Sequence, residues 1–177
     1  MKQQLVISAL GEYQADLMKS ISSVLQECGA SIMDCRMDIL GKEASIALMV
    51  SGSWDAIAKL EGMLEKLGKD LGLQIIAKRT TGRTPEQKKI PYNIEILSTN
   101  ENHIISKLTR FLSENEITIC EFYTNTFHSP HSDQALMSIH MTVNIPAGNS
   151  ISMLRSDFLD FCDRYNLDGI MEPVKNL

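Results

Sequence analysis

His128 and His131 form an HxxH with Asp133 close behind, residue types that ligate metal ions when a framework fixes their spacing. A structural zinc site needs four nitrogen or sulfur ligands, and two imidazoles on one polar loop without a third spaced ligand read instead as a solvated turn. The four cysteines, Cys28, Cys35, Cys120 and Cys162, contain no CxxC pair. In a reducing compartment they read as buried or idle thiols rather than as disulfides or zinc ligands. No Ser-His-Asp or Cys-His arrangement is suggested by spacing, so no residue is assigned a catalytic role and no cofactor or metal is called for.

Charge narrows the classes further. The chain carries 17 basic and 22 acidic side chains for a net charge of −5, and from Tyr92 onward there are five basic against eleven acidic residues. Binding to phosphate backbones needs a basic stripe, and only the short segment around Lys88 and Lys89 offers one, so direct nucleic-acid binding is disfavoured. No opening stretch has signal-peptide form, and no apolar run approaches the roughly 20 residues that span a bilayer. The expectation is a cytoplasmic protein. Hydrophobic residues at 44% and charged residues at 22% are those of a folded chain with a packed core.

The elements follow from periodicity and punctuation. Gln4–Leu10 is a β-prone run closed by Gly11, and Leu17, Met18, Ile21, Val24, Leu25 and Cys28 mark one apolar helical face. Cys28-Gly29 ends that helix, strands are predicted over 30–39 and 44–50 about a Gly41-Lys42 turn, and Ser53 is placed to cap a helix over 54–71. A strand over 73–78 completes the order βαββαβ. From Pro91 the order returns. At an offset of 87, Leu17 matches Ile104, Ile21 matches Leu108, Leu25 matches Leu112 and Ile32 matches Ile119. Such register through a helix into the next strand marks an internal repeat. The second copy predicts strands over 117–126 and 135–143, a polar excursion over 127–134, a helix over 150–165 and a last strand near 167–173.

Thr81 to Lys89 is polar and holds both Gly and Pro, as a linker does. The organisation expected is a first module over 1–81, a linker over 82–90 and a second module over 91–177. The fold class is α+β: two ferredoxin-like βαββαβ modules, each an antiparallel sheet with helices on one face. This fold serves several unrelated functions, so motifs must choose among them. An RNA-recognition motif would stack bases on central-strand aromatics, which the first copy lacks, although Phe122 and Tyr123 stand in the second. An acylphosphatase-like hydrolase would need an arginine in a phosphate-cradling first loop, and neither copy has one there.

The remaining features resemble tandem ACT domains, and more narrowly the glycine cleavage system transcriptional repressor family. The resemblance rests on Leu5-Val6-Ile7-Ser8-Ala9-Leu10-Gly11, on Asp34-Cys35-Arg36 followed by Leu40-Gly41, on Ser51-Gly52-Ser53-Trp54-Asp55-Ala56-Ile57 and on Lys78-Arg79-Thr80-Thr81-Gly82-Arg83. These motifs cover the first 83 residues, and the rest matches by architecture. The resemblance implies a repressor accessory without a DNA-binding element, which acts by binding a DNA-bound regulator and is relieved by glycine. A freestanding ACT regulator that modulates a metabolic enzyme by contact is the alternative. ACT modules commonly pair edge to edge, so a homo-oligomer is compatible with this reading.

The resemblance also implies where a ligand would sit: between the loop after the first strand and the first helix, often against the start of the second strand of a neighbouring module. Free N–H groups at a helix start attract a carboxylate, and nearby carboxylates or amides take an ammonium. That loop supplies Gly11, Glu12, Tyr13, Gln14 and Asp16 in the first module and Thr99, Asn100 and Asn102 in the second. The strand segments supply Ser31, Asp34 and Glu121. The family's Asp-Arg-Pro-Gly is Tyr13-Gln14-Ala15-Asp16 here, and Asp16 puts a carboxylate where an anionic ligand group would come. Trp54 is read as a core or interface anchor, and the methionines as core filling, with Met33, Met37 and Met49 available to a partner surface.

Overall fold

Alternation of burial along a strand decides which face of a sheet meets the helices. In β1 (Gln3–Glu12), Leu5, Ile7 and Ala9 are buried while Val6, Ser8 and Leu10 lie on the open face. The computed structural model describes residues 2–82, 89–99, 103–128 and 135–175. The chain divides into two compact units, Met1–Thr84 and Pro85–Leu177.

The first unit continues with α1 (Leu17–Cys28), β2 (Ser31–Leu40), β3 (Glu43–Gly52), α2 (Trp54–Leu71) and β4 (Gln74–Thr80). Its sheet has the order β2-β3-β1-β4 with every pairing antiparallel. Leu17, Ile21 and Leu25 of α1 and Ile57, Leu60, Leu64 and Leu67 of α2 close over the buried face. Ser53 caps α2 as expected, accepting from the Ala56 N–H at 3.2 Å. Gly29 and Gly72 end the two helices in the left-handed conformation that costs glycine little.

The second unit repeats the order: β5 (Lys89–Ser98), α3 (Ile104–Glu114), β6 (Thr118–His128), β7 (Ala135–Pro146), α4 (Ile151–Arg164) and β8 (Asp168–Pro173). The sheet order is β6-β7-β5-β8, again antiparallel. Of the partners matched at offset 87, Leu17 and Ile104, Ile21 and Leu108, and Leu25 and Leu112 are buried in both copies, whereas Ile32 and Ile119 are exposed in both. The irregularity in each outer strand keeps the same offset. The extra residue is Met33 in β2 and Cys120 in β6. Bulges re-aim the side chains that follow them, which makes this one a feature of the module rather than an accident of either copy.

Two boundaries differ from expectation. Phe127 and His128 belong to β6, not to the polar excursion, because they pair with Leu136 and Ala135. Lys89 and Ile90 belong to β5, not to the linker, because they pair with Pro146 and Ile145. In both cases the partner strand supplies the hydrogen bonds that local polarity argues against. His131 and Asp133 lie outside the described residues.

Leu108→Ala, at a fully buried site, should cost about 2–5 kcal/mol. Gly11→Ala would set a Cβ 2.6 Å from the Gly72 carbonyl oxygen and should cost about 1–3 kcal/mol. Ile76→Ala, at a site 74% exposed, should change little. Urea denaturation midpoints of the three variants check this ranking.

Candidate functional site

The loop after β1 is tied down on two sides. The Tyr13 N–H donates to the Lys42 carbonyl at 2.9 Å, and Gln14 Nε2 donates to the Leu71 carbonyl at 3.3 Å. Asp16 occupies the position ahead of α1, but its carboxylate makes no capping hydrogen bond. The first turn of α1 therefore has no side-chain acceptor, and its N–H groups keep the partial positive charge of a helix start. Gly11 has a packing role: its Cα faces the Gly72 carbonyl and Leu73 with no room for a Cβ. Glu12 pairs with Glu43 and is exposed.

Ser31 and Asp34 lie at the far end of the same sheet. Gly11 stands opposite Ala44, whereas Ser31 and Asp34 stand opposite Ser51 and Met49 on the same strand. Those separations of seven and five residues along β3 correspond to roughly 24 and 17 Å. The loop and the strand segment of one module do not meet. Asp34 instead lies 3.8 Å from Arg36 on the exposed edge strand.

The second module has the same geometry. Thr99 follows the end of β5, where Ser98 stands opposite Met137, whereas Glu121 stands opposite Thr142, roughly 17 Å further along β7. Asn100 and Asn102 lie outside the described residues. His103 precedes α3 with φ 74°, a left-handed conformation unusual for a residue with a side chain, and it too makes no capping bond. Each module thus presents an open helix start at one end and its outer-strand carboxylate at the other.

A profile of the ACT domain matches residues 3–78. The second unit repeats the same order and sheet topology. The first unit thus matches the ACT domain, and the second is similar to it in topology. Along most of its length it is similar to the glycine cleavage system transcriptional repressor of Escherichia coli strain K12, with 28% identity over 170 residues, covering 96% of this chain and 90% of that protein. The UPF0237 protein MJ1558 of Methanocaldococcus jannaschii is 32% identical over 75 residues, 41% of this chain and 83% of that protein. A crystal structure assigned to a glycine cleavage system transcriptional repressor superposes with TM-score 0.74 at 23% identity, covering 99% of both chains. A protein of unknown function from Galdieria sulphuraria gives 0.80 at 20% identity, over 99% of this chain and all of that one. These two share the fold.

Two motifs of the first ACT module meet on its surface. Arg79 of β4 grips Glu61 of α2 with both ends of its guanidinium, Nε to Oε1 at 2.9 Å and Nη2 to Oε2 at 2.6 Å. The same guanidinium lies 5.9 Å from the ring centre of Trp54. The paired hydrogen bonds hold the Glu61 carboxyl below its ordinary value and push Arg79 up. Trp54 is 59% exposed, so it is not a core anchor: it opens α2 at the outer edge of the helix layer, where Arg79 covers part of it. Of the three methionines held available for a surface, Met37 packs against the core instead, while Met33 is exposed.

The open face of the second sheet carries a group that spacing does not reveal. Tyr123 stacks on His140 with ring centres 4.8 Å apart, and Glu95 comes within 3.9 Å of His140 Nδ1. These residues stand side by side on three neighbouring strands, so only strand register brings them together. Among the described residues no group of three potential metal ligands occurs, and no helix is long and apolar enough to cross a membrane.

Cys162 lies against the core of the second module, where burial first, then the charges of Asp163 and Asp168, push its thiol up to about 11 from an ordinary value near 9. A thiol that keeps its proton in the fold but loses it in the unfolded chain stabilises the fold below the unfolded value. That contribution is lost as pH rises through the folded one. The unfolding midpoint should therefore fall between about pH 9 and 11, and Cys162→Ala should remove part of that slope. Thermal melts of both proteins across this range check it.

Proposed function

We propose that this protein is a regulator of glycine metabolism: a repressor accessory that binds a DNA-bound regulator in the cytoplasm, with glycine controlling the contact. The observation that carries this reading is the likeness to the E. coli repressor across both modules, 96% of the chain, rather than across one ACT domain alone. The acidic balance from Tyr92 onward supports it, since a protein that leaves the phosphate contact to its partner needs no basic stripe.

The functional units are the first module over 1–81 and the second over 91–177, to which β5 adds Lys89 and Ile90 from the expected linker over 82–90. The ligand site is composite. An open helix start with Tyr13, Gln14 and Asp16, or with Thr99, Asn100 and Asn102, receives the carboxylate of an amino acid. Ser31, Asp34 or Glu121 of a neighbouring module takes its ammonium. The separation of roughly 17 Å or more within each module supports this, because the two halves of one module are too far apart to hold one amino acid. Pairing of modules along their outer strands would also cover the exposed edge strand β2.

Electrophoretic mobility of promoter DNA from the glycine cleavage genes tests the partner. The protein alone should leave the DNA unshifted, should retard further a complex that already holds the DNA-bound regulator, and should lose that effect when glycine is added. A metabolic enzyme recovered as the partner instead would favour the contact-regulator reading. Calorimetric titration tests the ligand: glycine should give saturable heat where serine and alanine do not. If the first module holds the site, Asp16→Asn should tighten glycine about two- to fivefold by removing a carboxylate from the helix start.

A further inference from the structure

The last strand of each module pairs on one side only, β4 with β1 and β8 with β5, and the two copies treat the outer side differently. In the second module, the Val174 N–H donates to the Pro91 carbonyl at 3.0 Å, which sets the parity of the ladder between β5 and β8. Residues at alternate positions from there point their N–H and C=O groups away from β5, Met171 among them. Arg155 of α4 covers that edge: its Nη2 donates to the Met171 carbonyl at 3.3 Å.

Ala77 holds the place of Met171. It stands opposite Ile7, as Met171 stands opposite Ile94, and Ile7 and Ile94 correspond at the repeat offset of 87. Ile75, Ala77 and Arg79 therefore turn their N–H and C=O groups to the outer side of β4. The counterpart of Arg155 is Glu61, each lying thirteen residues ahead of the last strand, Glu61 before Gln74 and Arg155 before Asp168. Glu61 is an acceptor where Arg155 is a donor, and it is held by Arg79. Among the described residues no side chain bonds to an outward carbonyl of β4.

Both faces beside this edge carry groups that an added strand would meet. On the open face, Ile76 is among the most exposed hydrophobic residues of the module, and Lys78 next to it forms no ion pair among the described residues. On the helix side, an open pocket of about 420 Å³ lies between the end of α2 and the start of β4. Leu64, Gly68, Leu73 and Ile75 line it together with Glu65 and Lys69, which pair with each other at 2.7 Å. Lysine on an edge strand hinders the addition of like strands, and a second copy of β4 would bring its own Lys78 and Arg79 to this edge. A segment with a carboxylate at that position turns the same charge into an attraction.

We propose that β4 takes up, by antiparallel strand addition, an extended segment of a partner protein with an acidic residue beside Lys78 and apolar residues beside Ile76 and Ile75. The residue beside Ile75 enters the pocket under α2. Main-chain hydrogen bonds to Ile75, Ala77 and Arg79 supply affinity, and the alternating side chains supply specificity. This edge shares no residue with the composite amino-acid site, and the proposal holds whether the partner is a DNA-bound regulator or an enzyme.

Amide NMR of the full chain tests it, with the peptide acetyl-Thr-Thr-Glu-Val-Val-Leu-Thr-amide as probe. Its glutamate falls beside Lys78, its second valine beside Ile76 and its leucine beside Ile75. Before peptide is added, the amides of Ile75, Ala77 and Arg79 should exchange rapidly with solvent, and those of Ile76 and Lys78 slowly. Peptide should give saturable shifts along β4 and slow the exchange of Ile75, Ala77 and Arg79. Lysine in place of the glutamate, or proline in place of the valine beside Ala77, should abolish these effects. Lys78→Glu should weaken the original peptide about fivefold or more, and Ile76→Ala, at a site where the fold tolerates truncation, about threefold. Slow exchange of the three outward amides before addition would overturn the proposal, since the edge would then already be covered. So would the absence of saturable shifts, equal binding of the lysine or proline peptide, or equal shifts at Gly169 and Met171 of β8.

Discussion

Each sheet must have one face kept from water by only two helices, and most of the architecture answers to that constraint. The central strands carry it. Leu5, Ile7, Ile46, Leu48 and Val50 in the first module, and Ile94, Ile96, Ile139, Met141 and Val143 in the second, are all buried under the helix pair. Because side chains alternate across a strand, burying these residues commits their neighbours to the open face. The placement of Tyr123, His140 and Glu95 on that open face, and of Ser98 on the covered one, is a consequence of the same register.

The antiparallel order also decides what one module can and cannot do. The loop after the first strand and the beginning of the second strand lie at opposite ends, because α1 or α3 carries the chain back along the length of the sheet before the outer strand starts. A ligand site built from both is out of reach within a module, whatever residues occupy the two positions. The helix start supplies partial positive charge, the outer strand supplies carboxylates, and association is what would join them.

Repetition makes the differences between the copies informative. The helix register, the bulge in the outer strand and the left-handed turn before the last strand are kept. At the corner where the first strand ends, however, Gly11, Gly72 and Gln74 give way to Ser98, Asn166 and Asp168. Two glycines gain polar side chains, a neutral amide becomes a carboxylate, and close packing gives way to an open pocket. Hydrophobic burial accounts for what the copies share, since both must cover a sheet with two helices. It does not account for Ser98, a hydroxyl at a buried position.

From the sequence alone came whatever depends on near neighbours along the chain. Helical spacing of Leu17, Ile21 and Leu25, the Gly29 stop, the Ser53 cap and the Gly41-Lys42 turn set α1, β2, β3 and α2, and the offset of 87 carried the pattern into the second copy. Only the tertiary structure decided whatever depends on strand register. The extension of β6 through His128, the start of β5 at Lys89 and the stack of Tyr123 on His140 all need a partner strand from elsewhere in the chain. Trp54 and Arg79 belong to motifs legible in isolation, yet their meeting is set by where α2 lies beside β4. The division has one cause: turn chemistry and periodicity are properties of a few consecutive residues, whereas pairing is a choice among distant ones made by burial of the whole face.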